Sequence, residues 1–330
     1  MLHRHDRVRP ATRERVLGVI EMLGYVPDAA AQSMARQRKE VIGLLTVESR
    51  SPATDVEQQS LVFIDTVRRG AETALGEIEW SLLSSAVRPH DPARAFQRML
   101  KVSAQVDGLL ITEGIVSSER LAQLAARMPL VLVAGSPDEP HADVFAADNR
   151  AGTVAVVSHL IECHGKTRLF SVTGPMTAPD AMVRQAALEE TVARYRGVTV
   201  AGAFPGNFAT EAGELAAREI IALPRGQRPD AIVCANDQMA IGAIRELRLA
   251  GVDVPGDLAV VGFDGDIAGL LISPALTTVR QPVGTMAERA CTRLLGRIAN
   301  PALPRLVELL PTELVIRESC GCEGGRPKAT

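Results

Sequence analysis

The stretch Ile232–Gly265, IVCANDQMAIGAIRELRLAGVDVPGDLAVVGFDG, leaves this chain few folds to choose from. An apolar run of strand length is followed by the polar pair Asn236–Asp237. Ala240, Ile241, Ile244, Leu247 and Leu249 then recur at roughly helical spacing. Gly251 is a natural helix stop, Pro255–Gly256 a turn, and Leu258–Phe263 a second apolar run that ends on Asp264. A strand, a helix and a strand in that order predict two parallel neighbours joined by a crossover. Parallel α/β sheets bind ligands beyond the carboxyl ends of their strands, where Asn236 and Asp264 fall. Asn236 has a competing use as the N-cap of the helix. Asp264 has no evident one.

The same alternation runs through the chain. Buried parallel strands are predicted over 41–47, 78–84, 108–112 and 130–134, with helices near 61–75, 92–102 and 118–126. A second set follows, with strands over 168–173, 198–203, 231–234 and 258–263. Its helices lie near 151–163, 181–194, 210–222 and 237–250. This spacing predicts doubly wound sheets, and 330 residues suit two α/β lobes better than one core.

Other classes fall away. No apolar run approaches the roughly 18 residues of a membrane span. The N-terminus MLHRHDRVRP lacks the apolar segment of a secretory signal, so a cytoplasmic protein is expected. There is no Gly-x-Gly-x-x-Gly after a strand, no Gly-x-Ser-x-Gly and no phosphate loop, so neither catalytic residues nor cofactors are expected. Cys163, Cys234 and Cys291 sit in apolar segments and read as small buried hydrophobes. Neither Cys320–Cys322 nor Cys163–His164 has the paired spacing of a zinc site, so no metal is expected. Residues 1–39 carry eight Lys/Arg against four Asp/Glu, which leaves about −7 on the rest of a chain whose net charge is −3. A basic arm on an acidic body suits contact with phosphate at one end only.

Eight segments in order carry a family resemblance. They are TRERVLGVIEMLGYVPDAAAQSMA (Thr12–Ala35), VDGLLIT (Val106–Thr112), DNRAGT (Asp148–Thr153), HLIECHGKTRLFSVTGP (His159–Pro175), ANDQMAIGA (Ala235–Ala243), VPGDLAVVGFDG (Val254–Gly265), LTTVRQP (Leu276–Pro282) and ELVIRES (Glu313–Ser319). Together they resemble the lactose-repressor (LacI) family of bacterial transcription regulators. The resemblance implies an α/β protein with two doubly wound, parallel-sheet lobes of periplasmic-binding-protein-like type. A remnant of an all-α helix-turn-helix headpiece and a hinge helix precede them. The implied boundaries are 1–40 for the truncated headpiece, 41–149 with 281–311 for the N-terminal lobe, and 150–280 with 312–320 for the C-terminal lobe. Crossings are implied near 148–150, 280–282 and 311–314. The Gly-rich tail, 321–330, is expected to be disordered.

The family places a small effector between the lobes. By matching motif, Arg184 clamps hydroxyl or carboxylate groups, and Asn236 and Asp264 line the strand ends. Gln281 of VRQP touches ligand or pairs with hinge backbone. Phe208 of GNF matches an aromatic laid against the ligand, with burial in the lobe core as the alternative. Asp180 is a further candidate, and Phe63 keeps its place in an otherwise divergent entry segment, residues 47–63. Ala134 stands where many sugar-binding members have aspartate. The implied effector is a small polar metabolite such as a sugar or sugar acid.

On the DNA side, Thr12 opens the supporting helix of the headpiece, and Thr12 and Tyr25 match phosphate-touching positions. Arg7 and Arg9 add charge. In the hinge helix, Ala31 belongs to a run of small residues that permits close approach to a groove, and Met34 takes the place of the minor-groove wedge. Only MLHRHDRVRPA precedes Thr12, so the side chains that read major-groove bases are missing and specific operator binding by this chain is doubtful. The expected partners are operator DNA, a small-molecule effector and a second copy in a homodimer or higher homo-oligomer, with no membrane. Two alternatives stay open: a solute-binding protein of a transporter, and a homologue that has lost specific DNA binding.

Overall fold

The computed structural model describes residues 9–24, 38–47, 61–76, 78, 80–87, 91–112, 117–323 and 326–327. Six strands form one parallel sheet: β1 (Val41–Val47), β2 (Ser81–Val87), β3 (Gly108–Thr112), β4 (Leu130–Val133), β5 (Asp143–Ala147) and β11 (Val307–Leu310). Their order is β11-β5-β4-β3-β1-β2. Successive side chains of a strand point to opposite faces, and the core divides accordingly. Leu44, Leu110 and Val131 meet α2 (Leu61–Leu75) and α10 (Val283–Ala299). Leu45, Leu109 and Leu132 meet α3 (Pro92–Ser103) and α4 (Ser118–Ala125). Gly70 lets α2 approach α10, since an added Cβ would lie 2.4 Å from the Gly284 carbonyl.

The second sheet has four parallel strands, β6 (Arg168–Thr173), β7 (Thr199–Pro205), β8 (Ala231–Cys234) and β9 (Ala259–Val261), in the order β7-β6-β8-β9. Phe170, Ile232 and Val260 pack against α7 (Thr210–Ala222) and α8 (Asp237–Leu249). Leu169, Val233 and Val261 pack against α5 (Asn149–His164) and α6 (Pro179–Val192). Both sheets are therefore covered on both faces, the doubly wound arrangement the alternation predicts. The chain leaves the first sheet after β5. It returns through the short strand β10 (Thr278–Arg280) into α10, and leaves again from β11 into β12 (Glu313–Val315), which pairs antiparallel with β10. A four-residue helix, α9 (Ala268–Leu271), precedes β10.

Several predicted elements shift, and others are added. The strand predicted over 78–84 lies instead at Ser81–Val87, pairing Val41 with Ser81 through Val47 with Val87. It is an edge strand, half open to solvent, and its sequence SLLSSAV has no long apolar run to mark it. The strand over 258–263 shortens to Ala259–Val261, and that over 198–203 becomes Thr199–Pro205. β5, β11 and α10 have no counterpart among the predictions. β5 begins on Asp143, a carboxylate with no exposed side-chain surface, held by Arg297 Nε at 2.5 Å, Arg293 Nε at 2.6 Å and the Leu306 amide at 2.7 Å. These partners hold the Asp143 carboxyl below its ordinary value although burial pushes it up. Three of the five residues in the apolar stripe of α10, Met286, Ala287, Ala290, Cys291 and Leu294, are small, and charged residues lie between them.

Near the N-terminus α1 spans Pro10–Leu23 with proline in its first turn, two residues ahead of the predicted start, so Thr12 lies within the helix. Gly24 ends it in the left-handed conformation, as expected. Arg9 and Thr12 are exposed, and no residue of α1 is buried. Arg7, Tyr25, Ala31 and Met34 lie outside the described residues. At the other end, the expectation of disorder from 321 fails for the first residues. Cys322 is buried, and β13 (Cys322–Glu323) pairs with β14 (Arg326–Pro327).

Candidate effector site

The carboxyl ends of β8 and β9 meet the start of α5 beside the first crossover, around Arg184. β8 runs into Asn236, whose Oδ1 accepts from the Met239 amide at 3.0 Å and so caps α8. The Asn236 Nδ2 donates to the Phe208 carbonyl at 3.0 Å, so both ends of this side chain serve the protein, and the capping use is the one seen. Its neighbour Asp237 is fully buried and accepts from Thr278 Oγ1 at 2.5 Å and from the Asp266 amide at 2.7 Å. Burial and the nearby Asp264 charge push the Asp237 carboxyl well above its ordinary range. It ties the β9–α9 turn to the start of α8.

Arg184 is the centre of the cluster. It comes from α6 and is 5% exposed. Its Nε donates to Asn149 Oδ1 at 2.8 Å and its Nη1 to the Ala235 carbonyl at 2.6 Å. Asp180 and Asp264 each place an oxygen 3.6 Å from the guanidinium, which lies 3.8 Å above the centre of the Phe263 ring. Asn149, the first residue of α5, also donates to Asp180 Oδ1 at 2.8 Å. One cation thus faces two carboxylates. Burial raises the Asp180 carboxyl despite Arg184 and Asn149, and it raises Asp264 to about 6 despite Arg184 and Gln281.

Asp264 is also held in an unusual backbone conformation, φ +127°. Such a residue costs about 1–3 kcal/mol and persists only where its surroundings fix it. Here its amide donates to the Val279 carbonyl at 2.8 Å, and its own carbonyl accepts from the Gln281 amide at 3.1 Å. The Gln281 side chain donates from Nε2 to Asp264 Oδ1 at 2.6 Å, while its buried Oε1 has no hydrogen-bond partner. Leaving an acceptor buried and unpaired costs about 1–3 kcal/mol. The only other such atom among the described residues is Thr153 Oγ1, on α5. The chemistry on offer is therefore two carboxylates and an amide oxygen that accept, around one guanidinium that is already well occupied.

The chain matches a family model described as a periplasmic binding protein-like domain over residues 157–320. Among curated relatives, the HTH-type transcriptional regulator reg1 of Streptomyces lividans is 30% identical over 337 residues, covering 97% of this chain and 92% of that protein. The chain belongs to the LacI family of transcription regulators. Its fold agrees with that of the lac repressor dimer solved with operator and the anti-inducer ONPF, with a TM-score of 0.81 and 24% identity over 96% of this chain and 92% of that one. A structure of the regulator CelR in complex with cellobiose gives a TM-score of 0.74 at 26% identity, over 95% of this chain and 92% of that one.

Within this LacI-family chain, Arg184, Asp180, Asp264 and Gln281 form one contact network, and Asn236 reaches it through the neighbouring Ala235 carbonyl. Phe208 stands in the left-handed region at φ +66° and packs against the α7–α8 core, where Gly174 makes room: a Cβ there would lie 2.4 Å from the ring. Phe63 sits apart, on α2 against the core of the six-stranded sheet. Sequence reasoning passed over Asn149 and Phe263, which orient Arg184. Asn149 stands in the DNRAGT segment, and its place at a predicted crossing was the available signal. Cys163 is exposed rather than buried, because it occupies the solvent side of α5. The expectation of no metal-binding group also meets a different arrangement, since His159, His164, Cys320 and Cys322 bring their ligand atoms within 4.8 Å of one another. Among the described residues no helix is long and apolar enough to cross a membrane.

Proposed function

We propose that this chain is a ligand-responsive transcriptional repressor whose effector, a small polar metabolite, binds at the Arg184 cluster between two lobes. The lobes are residues 41–149 with 281–311 and residues 150–280 with 312–320. The observation that carries the reading is the unpartnered, buried Gln281 Oε1 beside Asp264, on a strained backbone at the strand ends. Acceptors outnumber free donors there, which favours a neutral sugar, rich in hydroxyl donors, over a sugar acid. The cellobiose complex of a related regulator is in keeping with this choice. α1, with exposed Arg9 and Thr12, belongs to the DNA-facing arm, and the working unit is a dimer on operator DNA. Effector bound more tightly by one lobe arrangement shifts the population and with it the affinity for DNA. No step of this function is catalytic.

A thermal-shift screen of sugars, sugar acids and nucleobases tests the reading, since a ligand selective for the folded chain raises its melting temperature. With the strongest hit, calorimetry on Arg184→Ala should show a loss of about 1.5–3 kcal/mol, on the order of 10- to 100-fold in affinity. Unchanged affinity in both Arg184→Ala and Asp264→Ala, with the fold intact, would move the effector elsewhere.

A further inference from the structure

We propose that His159, His164, Cys320 and Cys322 form a closed, structural zinc site that fastens the C-terminal segment to the end of α5. The two histidines lie on the last turns of that helix, and the two cysteines on the chain that follows β12. His164 Nε2 is 3.2 Å from His159 Nε2. Cys320 Sγ and Cys322 Sγ are each 3.5 Å from His159 Nε2, and Cys322 Sγ is 3.3 Å from His164 Nε2. A tetrahedral zinc ion with bonds of about 2.05 Å to nitrogen and 2.3 Å to sulfur sets its ligand atoms about 3.4 Å apart for nitrogen pairs and about 3.6 Å for nitrogen and sulfur. These four separations fall within a few tenths of an ångström of these values, and all four ligand atoms lie within 4.8 Å of one another.

Chemistry and surroundings agree with the distances. An N2S2 set suits zinc, and four protein ligands leave no open position, which marks a structural site. On binding, each thiol gives up its proton and each imidazole ligates in its neutral form. Two thiolates then cancel the charge of the ion and the occupied site is neutral overall. That matters here, because Cys320 and Cys322 are buried and His159 is 7% exposed. Around the ligands, Thr277 Oγ1 accepts from the Arg317 amide at 2.9 Å and turns its one proton to Cys320 Sγ at 3.1 Å. A hydroxyl donor to sulfur is the support a bound thiolate uses. Gly321, at φ +111°, lets the Cys-x-Cys loop wrap the His164 ring, since an added Cβ would lie 3.1 Å from Nδ1. The histidine pair has four intervening residues, within the usual zinc range, but stands far from the cysteines in sequence.

The test uses the full chain, without a histidine tag, purified under reducing conditions without chelator. Elemental analysis should find about one zinc ion per chain, retained through gel filtration. Cobalt(II) titrated into zinc-stripped protein should give the visible bands of tetrahedral coordination together with thiolate-to-cobalt charge transfer. Cys322→Ser and His164→Gln should each weaken metal retention by at least about tenfold, whereas Cys163→Ser, which alters an exposed cysteine outside the set, should keep it. The proposal is overturned if wild-type protein with reduced thiols holds less than about a tenth of an equivalent of zinc and gives no tetrahedral cobalt spectrum. A Cys320–Cys322 disulfide in protein prepared under these conditions would overturn it as well. The cobalt spectrum of the wild type decides the matter even if the ligand variants do not fold.

Discussion

At the scale of single residues, Asp264 combines three costs in one place: a raised carboxyl, a left-handed backbone and a nearby unpartnered amide oxygen. Its carboxyl moves from 3.8 to about 6, so the fold disfavours the ionised form. The sign follows directly. Stability contributed by the protonated group is present below about pH 4 and is lost as pH rises toward 6. Asp264→Asn keeps an acceptor for Gln281 Nε2 but removes the charge, so the variant should melt above the wild type at pH 7. The gap should close as pH falls toward 4. Melting curves across that range check it, and a variant that melts below the wild type at pH 7 would contradict the assignment. The same variant should bind effector less well, the usual exchange of function for stability at a strained site. The strand-end positions of Asn236 and Asp264 were legible, because apolar runs ending in polar residues announce them. The placement of Arg184 against Asn149 and Phe263 was not, because partners 35 positions away or more leave no local periodicity to read.

Among elements, glycines decide how closely helices pack. An added Cβ at Gly213 on α7 would lie 1.8 Å from the Met239 carbonyl, and one at Gly242 on α8 would lie 2.1 Å from the Thr210 carbonyl. Gly213→Ala gains roughly 1 kcal/mol of helix propensity but forces apart two backbones, an overpacking cost of roughly 1–3 kcal/mol. Denaturant unfolding should show net destabilisation. Gly296 on α10 faces the opposite case, since its added Cβ would meet Leu303 Cδ1 at an ordinary 3.5 Å. Gly296→Ala should therefore stabilise by up to about 1 kcal/mol. If both changes have the same sign, the helix spacing described here is wrong. Element reading from sequence succeeded where both strand faces are apolar, as in β1, β3 and β8. It failed where a buried, ion-paired carboxylate opens the strand, as Asp143 does in β5, and at the open edges β2 and β11.

For the whole molecule, the proposed function couples effector and operator through one chain. If effector lowers operator affinity by some factor, linkage requires operator to lower effector affinity by the same factor. Calorimetry of effector into free and DNA-bound protein should return two different affinities; equal ones would show that effector and operator are not coupled. The two-sheet plan was readable from alternation alone, while the convergence at His159, His164, Cys320 and Cys322 was hidden by sequence distance. α5 connects these two stories. A 16-residue helix spans about 24 Å, with Asn149 at its head against Arg184 and His164 at its foot against Cys322. Anyone turning this protein into a biosensor inherits that geometry. A fluorescent reporter spliced in at Ser319 would remove the two sulfur donors of the four and leave two imidazoles edge to face beneath the helix that positions the arginine. The fusion point belongs beyond Pro327.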